Sequence, residues 1–113
     1  MTQTQEPEHP ILDKPFTWAI TELHWRASGV AEPSSFLDVT FARDGQLRRL
    51  RFADPQQVVL ELSAPSSVDC GDMVIRDISD RQLDGLSVQV TDNGADGTPL
   101  SFYAKGVIEV PCN

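Results

Sequence analysis

A thiol next to an imidazole makes a nucleophile and its base, and this chain holds the residues for one such pair, Cys70 and His24. Such partners meet in space and not in sequence, so their separation does not decide the matter; the plainer reading is a loop thiol and a strand-borne imidazole. The other histidine, His9, lies in a polar N-terminal stretch, and no ligand stands near either imidazole at the spacing of a zinc site. Acid-base chemistry would need a carboxylate pair buried beside a cleft, with Asp77 and Asp80, or Asp80 and Asp84, as candidates. Solvated turn carboxylates describe them more simply. The loop Asp92-Asn93-Gly94-Ala95-Asp96-Gly97 begins like a calcium loop, but Gly94 occupies a ligand position and Tyr103 replaces the bidentate Glu. Asp, Asn and Gly are also the ordinary residues of a hairpin loop. No glycine-rich run precedes a helix, and Gly-Lys-Ser and Gly-Lys-Thr do not occur. The expectation is a protein with no catalytic, metal-binding or cofactor-binding residues, and no cofactor.

Charge is the stronger signal. Seventeen acidic residues against nine basic ones leave a net charge of −8, which disfavours nucleic acid as a partner because phosphate binding needs a basic surface. The acids concentrate between Asp69 and Asp96, where only Arg76 and Arg81 oppose them. A basic protein is the partner this favours, with Asp72, Asp77, Asp80, Asp84, Asp92 and Asp96 as the expected binding residues. The alternative is that the charge serves solubility alone.

These residues must be carried by elements, and the clearest is a hairpin from Leu37 to Phe52 closed by Asp44-Gly45. A two-residue turn of this type fixes register. It sets Arg43 opposite Gln46, Phe41 opposite Arg48, Val39 opposite Leu50 and Leu37 opposite Phe52, with Asp38 facing Arg51 and Thr40 facing Arg49 on the other side. Residues 16–26 are ambiguous. Phe16, Trp18 and Ile20 alternate as in a strand while Leu23 and Trp25 take the opposite parity, which predicts a strand with a bulge near Thr21-Glu22; Phe16, Ala19, Ile20 and Leu23 also fit a helix. Further strands are expected over 58–62, 73–78, 86–90, 100–104 and 107–110, with one helical turn from Ser79 to Gly85. This alternation predicts an all-β domain, an antiparallel sandwich or open barrel of about seven strands.

A chain of 113 residues is expected to form a single domain over residues 16–113, behind a disordered polar arm over residues 1–15. Neither a membrane span nor a signal peptide is legible, so the expected compartment is the cytoplasm, where Cys70 and Cys112 would stay reduced. A bridge between the two cysteines is geometrically open.

The run Leu47-Arg48-Arg49-Leu50-Arg51-Phe52, a Pro-containing turn, Val58-Val59-Leu60-Glu61-Leu62, and the closing stretch from Leu100 to Val110 resemble small bacterial β-rich proteins. Some of these are immunity proteins of toxin systems. The resemblance implies a cytoplasmic antitoxin that binds a basic toxin domain and performs no chemistry. A different expectation is an accessory β domain that self-associates, a homodimer being the simplest form, through a strand edge or an apolar face, with Trp18 and Trp25 as interface candidates. A small enzyme or ligand-binding barrel is the third.

Overall fold

A computed structural model describes residues 7–27, 35–61, 68–81, 85–92 and 97–112. The fold is an all-β sandwich of two antiparallel sheets. Nine strands occur among the described residues: β1 Ala19–Arg26, β2 Phe36–Arg43, β3 Gln46–Ala53, β4 Gln56–Leu60, β5 Val68–Asp69, β6 Met73–Asp77, β7 Val88–Asp92, β8 Leu100–Ala104 and β9 Gly106–Val110. The first sheet runs in the order β5-β1-β2-β3-β9 and the second β4-β8-β7-β6. The two-residue β5 has too little alternation to be recognised in sequence.

The β2–β3 hairpin has the register its turn dictates, from Arg43↔Gln46 to Leu37↔Phe52. Asp44 and Gly45 take φ of 51° and 80°, the left-handed pair that a two-residue hairpin turn requires. Leu37, Val39 and Phe41 thereby join Leu50 and Phe52 on the inner face, where they meet Met73, Ile75, Val88, Val90, Leu100 and Phe102 of the second sheet. Phe52 and Phe102 pack edge to face with centroids 4.8 Å apart.

β1 is a strand, and its register against β2 shifts between Ile20 and Glu22. The extra residue reverses the parity of everything after it. Trp18 and Ile20 are buried before the bulge, and Leu23 and Trp25 face inward after it. The helical alternative for residues 16–26 is met only by a 3-10 turn at Pro15–Thr17, just before β1.

Residues 7–15 depart from the expectation of a disordered polar arm. Leu12 and Pro15 are buried. The His9 N–H donates to Ile75 O at 2.7 Å, and the Asp77 N–H to Pro7 O at 2.8 Å, so this segment lies along the outer edge of β6. One leucine among prolines has no periodicity, and only the slot it fills identifies it as a core residue. The turn after β6 is a 3-10 turn at Ser79–Arg81, and its cap is Asp77, whose Oδ1 accepts from the Ser79 N–H and hydroxyl. The remainder of the helical turn expected from Ser79 to Gly85, residues 82–84, lies outside the described residues.

Candidate functional site

The four described carboxylates of the six singled out in the sequence stand at the two ends of the β6–β7 ladder. Asp92 stands opposite Met73, with Asp72 beside it, at one end of the β6–β7 ladder; Asp77, opposite Val88, lies at the other end with Asp80 beyond it. Four residues of strand, about 13 Å, separate the two groups. Asp84 and Asp96 lie outside the described residues, as does most of the Asp92–Gly97 loop. Asp77 serves the turn that follows it. The Ser79 hydroxyl and N–H hold its carboxyl below the usual range, and the charge of His9 adds to this. Asp80 and Asp92 are exposed.

Cys70 and His24 are held apart. Cys70 is buried in the core next to β5, and burial, reinforced by the Asp69 charge, pushes its thiol up to about 12. His24 follows the inward-facing Leu23 on β1, so it projects from the outer face, where its ring stacks on Phe36 at 6.0 Å. The two cysteines are both free. Among the described residues no group of three side chains could hold a metal ion, and no helix is long and apolar enough to cross a membrane.

The arginines of the hairpin are spent on neighbours. Arg51 grips the buried Asp38 through two bonds of 2.8 and 2.9 Å, and its guanidinium lies 4.0 Å from the Phe36 centroid. Arg49 bridges Thr40 and Glu22, and Arg48 forks onto Glu109 while donating to Ile11 O at 2.8 Å. Asp38 and Thr40 are buried on the outer face because these long side chains roof them. A depression of about 330 Å³ beside Thr21, Glu22, Leu47 and Cys112 is crossed by the Glu22–Arg49 pair.

The unfilled feature is apolar. A groove of about 440 Å³ opens between the C-terminal half of β1 and β4, lined by Leu23, Trp25, Leu37, Val58, Leu60 and Leu100, with Pro55 and Gln57 at its rim. The β1 bulge turns Leu23 and Trp25 toward it, and Trp25 stands across from Leu37 on the next strand. On the opposite wall, Gln57 takes a φ of 54° and interrupts the β4–β8 ladder between Gln56 and Val59. Beyond it, Val59 pairs with Ser101, and the Glu61 N–H donates to Pro99 O at 2.8 Å. By strand alternation the backbone groups of Val58 and Leu60 point away from β8, to the edge that no described strand pairs, while their side chains line the groove. Trp25 is 64 % exposed, and Val58, Val59 and Leu60 are each about half exposed.

Of the two tryptophans proposed as interface residues, only Trp25 is available. Trp18 is buried, its indole N–H donates to Asp13 O at 2.9 Å, and Arg43 covers its ring at 4.2 Å. The sequence signal for the groove was a run of three apolar residues, Val58-Val59-Leu60, which a buried strand would show equally well. Comparisons with protein-family models, with curated proteins and with solved structures find no match to the chain.

Proposed function

We propose that the protein is a non-catalytic protein-binding module whose binding surface is the apolar groove beside the free edge of β4. The observation that carries this reading is Trp25, a tryptophan 64 % exposed on the wall of an apolar concavity. Aromatic side chains in such settings anchor interfaces. The adjoining strand edge offers N–H and C=O groups that an extended protein chain satisfies. The net charge of −8 supports a basic partner, since it accelerates encounter with one and discourages acidic competitors. An immunity-type inhibitor that covers a basic toxin domain in the cytoplasm is the biological form we propose. In it the groove anchors the partner while the scattered carboxylates steer it.

The test is capture of partners from the native host with three proteins: wild type, Trp25→Gln, and the pair Asp80→Asn with Asp92→Asn. The tryptophan variant is expected to lose the partner. The carboxylate variant is expected to keep it and to associate more slowly at low salt. Loss by the carboxylate variant alone would move the binding surface to the ends of the β6–β7 hairpin.

A further inference from the structure

We infer that the groove and the β4 edge are occupied by a second copy of this chain, joined through antiparallel β4–β4 pairing about a two-fold axis. The inference rests on the reading of this groove as a binding surface: the second copy fills it when the basic partner is absent, and the two compete for it. Edges in the fold are treated differently. β6 is covered by residues 7–9, the start of β1 is covered by β5, and β9 carries the Glu109 carboxylate within the strand. β4 has no charged residue, and Val58-Val59-Leu60 leaves both of its faces apolar. Among the described residues nothing covers this edge, and an apolar edge without charge or cover is what folded monomers avoid.

The occupant must satisfy two surfaces together. A small apolar molecule fills the groove but leaves the backbone of Val58 and Leu60 unpaired, and a helix does the same. An extended strand satisfies both, and β4 is itself a strand with the required alternation. An isologous pairing brings Val58 opposite Leu60 of the second copy, with the two Val59 residues meeting at the axis. The outward-pointing backbone groups of Val58 and Leu60 then bond across the axis. In the continuous sheet, the inward side chains of each added strand extend over Trp25 of the other copy. The bulge at Gln57 bounds this pairing at one end, limiting it to a short segment.

Area supports a contact of modest size. At exposures of 64 % for Trp25, 44 % for Val58, 54 % for Val59 and 46 % for Leu60, the four side chains present on the order of 400 Å² per copy. Two copies present about 800 Å² of side-chain surface, below the roughly 1,200 Å² of a standard interface, so the contact needs the strand backbones and the rim at Pro55 and Gln57 and makes a weak dimer. Each copy carries −8, so repulsion opposes the dimer and salt relieves it. The salt response therefore has the opposite sign to that of a basic partner.

The experiment is sedimentation equilibrium of the full chain across a wide concentration range at low and moderate salt, with Val59→Lys and Trp25→Gln alongside. Wild type is expected to move from one chain mass toward two as concentration rises, and to do so more readily at moderate salt. Val59→Lys, whose outward side chain leaves the core intact, sets like charges opposite each other and is expected to weaken the dimer at least about tenfold while keeping its circular dichroism spectrum. Trp25→Gln is expected to weaken it and to abolish the concentration-dependent blue shift of tryptophan emission. A wild type that stays monomeric, or a dimer indifferent to Val59→Lys, overturns the inference. A monomer that still loses its host partner on Trp25→Gln overturns self-association and leaves the binding groove standing; a host partner and a dimer that both ignore Trp25 and Val59 overturn both.

Discussion

At Cys70, burial and charge act in the same direction. The thiol ordinarily ionises near 9.0, and in the core burial and then Asp69 push it up to about 12. Below about pH 9 both folded and unfolded chains keep the proton, and the contribution to stability is complete. As pH rises from 9 toward 12 the unfolded thiol ionises while the folded one does not, so stability falls across that window. The thiol is correspondingly inert near neutrality. A thiol reagent at about pH 8 is expected to modify the half-exposed Cys112 promptly and Cys70 only after unfolding, read as one fast equivalent in the native protein and two in denaturant. Two fast equivalents would mean that the β5 edge opens readily. His24 is placed away from the buried Cys70, since the bulge that turns Trp25 inward also turns His24 outward.

At the level of elements, two glycines separate conformational strain from steric contact. Gly45 has φ of +80° and open space where a Cβ would stand, so Gly45→Ala adds backbone strain alone, about 1 kcal/mol. Gly71 has φ of +62°, and a Cβ there would run into the Gly97 carbonyl oxygen. The strain and the clash add, and Gly71→Ala is expected to cost about 2–4 kcal/mol. Gly45→Val is expected to destabilise more than Gln46→Val, because Gln46 is an exposed strand residue that accepts a β-branched side chain. Urea unfolding midpoints of the four variants rank these effects. Equal losses at Gly45 and Gly71 would show that the Gly97 backbone yields to the added methyl.

For the whole molecule, the N-terminal segment and β4 show opposite ways of treating a sheet edge. Residues 7–9 cover β6, and Leu12 packs into the core behind them. Deleting residues 1–14 empties that position and uncovers β6. Leu12→Ala is expected to cost about 2–4 kcal/mol, and the deletion more, accompanied by association that grows with time. Denaturant midpoints give the stabilities, and light scattering reports the association. A deletion no worse than Leu12→Ala would show that the cover on β6 adds nothing beyond one leucine. The −8 charge of each chain opposes self-association at low salt, which is why the proposed dimer is expected to tighten as salt is added.

Local rules were enough for much of this protein. Asp44-Gly45 alone set eight cross-strand pairs, because a two-residue turn leaves a hairpin one register, and the parity change between Ile20 and Leu23 reported the β1 bulge. The all-β class followed from period-two alternation. Tertiary structure alone decided the rest. Leu12 is a core residue because of a slot between distant strands, and Val58-Val59-Leu60 is exposed because β4 lies at the end of its sheet, although a central strand would read identically. Of the carboxylates clustered in sequence, the four described ones stand at two ends of a ladder, since a strand carries its two ends far apart. Sequence records which residues alternate; which neighbour covers them depends on sheet order, and the groove at Trp25 exists because no described strand lies beyond β4.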